Sequence, residues 1–133
     1  MIVVDASVLA PALADDGQDG DESRTRLRAQ VLVAPELIDL DVVSVFRRLL
    51  FGGQLPARRA RLALADLTHL PLRRTPHRPL LSRCWELRAN LSIYDAAYIA
   101  LAETLDIVLV TADARLSRAP GLRCQVELLG DGR

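Results

Sequence analysis

The strongest constraint in this sequence is a repeated local pattern, a short β-branched apolar run that ends beside an aspartate and gives way at once to helix-forming residues. Ile2-Val3-Val4 reads as a buried strand, Asp5 follows it, and residues 6–14 form a small-residue helix that Asp5 is placed to cap. Residues 107–110 repeat the arrangement, with Thr111-Ala112-Asp113 at the carboxyl end. Strands this short and apolar, alternating with helices, belong in a parallel sheet covered on both faces. The expected fold is therefore α/β, with a central, mostly parallel sheet.

The rest of the chain fills in around these two units. Residues 17–20 read as an acidic loop, 21–29 as a helix and 31–33 as a second strand. Pro35 is expected to open a helix that runs to about residue 50 and closes at Gly52-Gly53. Its buried face would carry Leu37, Leu40, Val42, Val45, Phe46 and Leu49. A helix over 57–67 follows Pro56, and 70–74 reads as an edge strand because Pro71 interrupts it. Residues 80–90 read as helix, Ser92 caps a further helix to Leu105, and 125–129 adds a last strand. At 133 residues without internal repeats, one domain spanning 1–133 is expected.

The formal charge is zero, yet its placement is uneven. Ten arginines lie between residues 47 and 88 (47, 48, 58, 59, 61, 73, 74, 78, 83 and 88), opposed there only by Asp66 and Glu86. Acids concentrate instead at Asp15, Asp16, Asp19, Asp21 and Glu22, so a basic face and an acidic face can coexist in a neutral molecule. Arginines 58, 59 and 61 begin a helix, where they oppose its dipole, which favours a functional reason for them. All 17 basic residues are arginine; without lysine, a P-loop nucleotide site, a receiver-type phospho-acceptor on Asp5 and a haloacid-dehalogenase-type phosphatase lose a group they rely on. No apolar run reaches membrane-spanning length, Met1 leads directly into the first strand, and Cys84 and Cys124 fit neither a metal site nor a disulfide framework. A cytoplasmic protein with reduced thiols is expected.

Four acids can converge on this scaffold. Asp5 and Asp113 follow two strands of a parallel sheet, whose ligands bind beyond the carboxyl ends where strand order reverses. Asp95 lies in the first turn of one helix and Asp41 inside another. Converging carboxylates raise each other's pKa or require a counterion, and hard divalent cations such as Mg²⁺ or Mn²⁺ are the natural one. Such a cation lowers the pKa of bound water and stabilises charge on a phosphodiester, which is what hydrolytic nuclease chemistry requires. Each acid also has a structural reading: Asp5 and Asp113 as helix caps, Asp95 as the partner of Ser92 in a capping box, and Asp41 on an exposed helix face.

The words around these acids resemble the PIN-domain family, and in particular its VapC-type toxins. Ile2-Val3-Val4-Asp5-Ala6-Ser7-Val8-Leu9 is similar to the opening strand of that family. Ala34-Pro35-Glu36-Leu37 with Asp41-Val42-Val43-Ser44-Val45-Phe46-Arg47-Arg48-Leu49 is similar to its second motif. Residues 91–103, from Leu91-Ser92-Ile93-Tyr94-Asp95 through Tyr98 to Glu103, resemble the third, and Leu109-Val110-Thr111-Ala112-Asp113-Ala114-Arg115-Leu116 the fourth. The resemblance implies a three-layer α/β/α sandwich and a metal-dependent endoribonuclease that cleaves structured RNA. It implies that Asp5, Asp95 and Asp113, with Asp41, bind Mg²⁺ or Mn²⁺, and that Ser7 and Thr111 support them. It also implies a homodimer and a VapB-type antitoxin whose C-terminal segment enters the acidic cleft. The second motif of the family carries glutamate where this chain has Asp41, one methylene shorter; neither Glu36 nor Asp39 matches the position.

Two readings follow from different classes. In one, the acids hold the cation for RNA hydrolysis while arginines of 47–88 grip the phosphate backbone. In the other, Asp41 leaves a PIN-like module that acts by binding RNA or protein. His69 and His77 read as loop or surface residues, and Trp85 and Tyr94 as core residues before base-stacking ones.

Overall fold

The computed structural model describes residues 1–130. Five parallel strands, β1 (Ile2–Val4), β2 (Leu32–Pro35), β3 (Arg73–Thr75), β4 (Leu109–Thr111) and β5 (Val126–Leu128), form one sheet in the order β3-β2-β1-β4-β5. The chain leaves β1 outward through β2 to β3, then returns across the sheet to β4 and continues to β5. The strand order therefore reverses between β1 and β4, where Val3 pairs with Leu109 and Val4 with Val110. That register sets Asp5 and Thr111 side by side at the carboxyl ends.

Right-handed crossovers put the helices connecting β1 to β3 on one face and those between β3 and β4 on the other. On the first face α1 (Ala6–Ala14) packs against α2 (Gln18–Leu27), α3 (Ile38–Phe51) and α4 (Ala57–His69). On the second, α5 (Leu81–Glu86) covers α6 (Ile93–Leu105), which lies over β1, β2 and β4. Every residue of α6 from Ala96 to Ala102 is buried, as expected for a helix held between a sheet and another helix. A short α7 (Ala114–Ser117) links β4 to β5. The architecture is the three-layer α/β/α sandwich anticipated from the alternation of apolar runs.

Several local expectations are corrected. Residues 17–20 are not a loop: α2 starts at Gln18 on Gly17, and Gly20 packs so tightly that an added Cβ would lie 1.9 Å from the Asp15 carbonyl oxygen. Pro35 ends β2 rather than opening α3, because the following backbone still pairs across the sheet, Glu36 N–H donating to the Thr75 carbonyl at 2.9 Å. The buried stripe of α3 runs through Ile38, Val42 and Phe46, four residues apart, and turns Leu40 out to 76% exposure. The expected helix over 80–90 is a 3₁₀ turn (Arg78–Leu80) followed by the single short α5. Trp85 and Tyr94, expected in the core, are 63% and 69% exposed, and Trp85 stacks under the Arg88 guanidinium. The edge position of β3 and the Ser92 cap of α6 match expectation. Among the described residues no helix is long and apolar enough to cross a membrane.

Candidate active site

Asp5 stands where β1 becomes α1, so its carboxylate does two tasks. It caps α1, Oδ1 accepting from the Ser7 backbone N–H at 3.1 Å and from the Ser7 hydroxyl. Its Oδ2 accepts from the Thr111 hydroxyl, brought alongside by the β1–β4 register. Ser7 Oγ in turn accepts from the Ala112 N–H at 2.8 Å, and Thr111 Oγ1 from the Asp113 N–H at 3.1 Å. The two hydroxyls thus tie the first and fourth strand ends around one buried carboxylate. Burial raises the Asp5 pKa from 3.8 to about 6, and the hydroxyl and amide donors only partly oppose it.

Asp113 caps α7, Oδ1 accepting from the Arg115 N–H at 2.9 Å. The Arg115 side chain folds back so that Nη2 donates to Asp113 Oδ2 at 2.8 Å and to Asp95 Oδ2 at 3.3 Å. One guanidinium nitrogen therefore spans carboxylates from α6 and α7, although the Arg115 side chain is 70% exposed. Ser92 does cap α6, accepting from the Asp95 N–H at 3.1 Å, but the Asp95 carboxylate is turned to Arg115. Its position is thus more than that of a capping-box partner.

Asp41 lies in the first turn of α3, half-buried rather than on an exposed face. Its Oδ2 accepts from the Tyr98 hydroxyl at 2.7 Å. Burial raises its pKa, the Tyr98 bond lowers it, and the charge of Asp95 raises it again, so α3 and α6 bring these two acids into one electrostatic neighbourhood. Asp39, on another side of α3, makes a paired contact with Arg74 at 2.7 and 2.9 Å. The α3 start is further fixed by the Leu37 N–H, which donates to His77 Nε2 at 2.9 Å.

The four acids singled out in the sequence thus come to one end of the sheet, each held by a local bond. Among the described residues, no three histidine, cysteine or acidic side chains are gathered tightly enough to enclose a cation as they stand. Sequence reasoning gave no role to Tyr98 or Arg115; the signals were their spacings, three residues after Asp95 and two after Asp113. Within the arginine-rich stretch, several members are taken up by ion pairs. Arg59 binds Asp16 and the Leu13 carbonyl, Arg74 binds Asp39, and Arg83 binds Glu103, so these three are structural ties. Arginines 47, 48, 58, 61, 73 and 78 are exposed. Beside Ser7 opens a groove of about 550 Å³ lined by Pro11, Val45, Arg48, Leu49 and Leu55 among others.

The profile of the family described as PIN domain matches residues 2–122. This chain belongs to the PIN-domain family. Within that family it is 44% identical over 129 residues to Ribonuclease VapC9 of Mycobacterium tuberculosis, covering 97% of this chain and 98% of that protein. It is 41% identical over 128 residues to Ribonuclease VapC1 of the same organism, with 96% of each covered. Among solved structures, the PIN domain described here resembles Mycobacterium tuberculosis VapC20, a sarcin-ricin loop cleaving toxin, with a TM-score of 0.70 at 18% identity over 92% of this chain and 96% of that one. It also resembles a chain of VapBC2 from Rickettsia felis, solved with a DNA fragment from the promoter, with a TM-score of 0.68 at 13% identity over 97% and 99%. These two likenesses establish the fold.

Proposed function

We propose that this PIN domain is a metal-dependent endoribonuclease, the toxin of a toxin–antitoxin pair, acting on structured RNA such as tRNA or rRNA. The observation that carries the reading is that Asp5, Asp41, Asp95 and Asp113, from four elements, all lie at the end of the sheet where strand order reverses. The ribonuclease names of relatives at 41–44% identity over nearly the whole chain support it.

The donor set is all oxygen, which suits Mg²⁺ or Mn²⁺. Burial lifts Asp5 and Asp41 above the usual carboxylate range, as expected for acids whose charge awaits a cation. Asp5, Asp95, Asp113 and Asp41 would hold the ion, with Ser7 and Thr111 orienting Asp5. When bound, the ion supplies water activation and stabilisation of charge on a phosphodiester. Exposed Arg47 and Arg48 on α3 offer phosphate contacts that confer affinity with little sequence choice. The groove beside Ser7, apolar along Val45, Leu49 and Leu55, suits an apolar segment of a VapB-type antitoxin. Exposed Leu40 and Val43 on α3 are consistent with a homodimer.

The test is cleavage of tRNA and rRNA by purified protein with Mn²⁺ or Mg²⁺, with EDTA and Asp5→Ala as controls. Cutting that disappears in both controls supports the nuclease. A second reading, a binding module of low activity, is favoured by one observation: Asp41 is shorter than the family's glutamate and already engaged by Tyr98. Equal inertness of wild type and Asp5→Ala, with activity appearing in Asp41→Glu, would establish it.

A further inference from the structure

Tyr98 is 2% exposed, and its ring is part of the core beneath the sheet edge. Only its hydroxyl has a polar task, donating to Asp41 Oδ2 at 2.7 Å. Tyr98 lies one turn after Asp95 on α6, so a single helix face presents both a carboxylate and a phenol toward the α3 acid. The phenol is thus a buried hydrogen-bond donor aimed at one carboxylate of the acid group.

Two physical facts make that donor consequential. A free aspartate rotates about both side-chain torsions, so a ligand carboxylate needs an outer partner to fix the oxygen it presents. Asp41 also has less reach than glutamate, so its aim has little tolerance. We propose that Tyr98 is a positioning residue of the acid group, its buried hydroxyl fixing Asp41 Oδ2 and so holding this carboxylate in the orientation from which it would bind a divalent cation. The proposal rests on the cation-binding reading above.

The experiment measures Mn²⁺ affinity of the purified full chain without RNA, by calorimetry and by the electron paramagnetic resonance of free Mn²⁺. Tyr98→Phe removes the hydroxyl and keeps the ring. Its Mn²⁺ dissociation constant should rise about tenfold, the lower end of what losing an outer-shell partner costs. In an Asp41→Ala background the same change should alter affinity by less than about twofold, because there is no carboxylate left to aim. A purely structural tyrosine would shift the melting temperature without this dependence on Asp41. Wild-type affinity in Tyr98→Phe, or an equal loss with and without Asp41, would overturn the role of Tyr98 while leaving the cation site standing. No Mn²⁺ binding by the wild type would overturn both.

Discussion

Asp5→Asn offers a quantitative test of how this fold holds charge. The Asp5 carboxyl is raised from 3.8 to about 6 by burial, with Ser7 and Thr111 donors lowering it only in part. At 1.36 kcal/mol per pH unit, ionising it in the fold costs about 3 kcal/mol. The sign follows from proton counting. Between pH 3.8 and about 6 the folded chain holds a proton at Asp5 that the unfolded chain has released. Stability from this group is full below pH 3.8 and lost as pH rises through 6. Asp16, Glu103 and Glu127, whose pKa values are lowered, act in the opposite sense and mask the effect in the raw profile. The difference between wild type and Asp5→Asn cancels them. Urea unfolding in EDTA at pH 4, 5, 6 and 7 should show Asn gaining about 3 kcal/mol relative to wild type across that range, about 10 °C in melting temperature. Adding Mn²⁺ at pH 7 should stabilise the wild type and leave Asp5→Asn nearly unchanged. A difference that stays flat within about 0.5 kcal/mol from pH 4 to 7 would refute the argument that burial dominates Asp5.

Three further outcomes follow from named contacts. Arg74→Ala should cost about 2 kcal/mol in urea unfolding, since Arg74 closes a paired bond with Asp39 and donates to the Leu67 and Leu72 carbonyls. Gly20→Ala should cost about 3 kcal/mol or prevent accumulation of folded protein, because its Cβ would meet backbone 1.9 Å away at the Asp15 carbonyl. In an Asp5→Ala background that binds without cutting, Arg48→Gln should weaken RNA binding evenly across sequences and reduce the slope of log affinity against log salt by about one; an unchanged slope would remove Arg48 from the RNA surface.

What was legible in the sequence was the set of features enforced by short-range chemistry. Apolar β-branched runs announced β1 and β4, and the cap residues Asp5 and Ser92 announced the helices behind them. The four acids stood out because each sits at or near an element end, and the structure places all four at one end of the sheet. What failed depended on tertiary context. Gly20 looked like loop material, but its missing side chain is what lets α2 pass the Asp15 backbone. Leu40 looked like core because it fits the apolar spacing, whereas only the Ile38–Val42–Phe46 stripe is buried and α3 packs on α1 and α4. Tyr98 and Arg115 stood inside recognised motifs without a role, since only packing reveals that a phenol and a guanidinium reach the carboxylates.

The acids of the cleft are stabilised in two different ways, and the difference matters for what each can do. Asp5 is held by neutral donors, the part-buried Ser7 and the buried Thr111, the latter brought alongside by the β1–β4 register. Asp95 and Asp113 share a charged donor, Arg115, on a side chain that is 70% exposed. An ion pair this exposed contributes little, and salt weakens it further. Charge at Asp5 is thus tolerated at a cost set by burial, whereas charge at Asp95 and Asp113 is balanced by a group that solvent can replace. The two sides of the acid group therefore differ, Asp5 buried among neutral donors and Asp95 and Asp113 facing an exposed cation. Under the proposed nuclease reading, an incoming phosphodiester would meet the exposed Arg115 first, where Nη2 is engaged with Asp95 and Asp113.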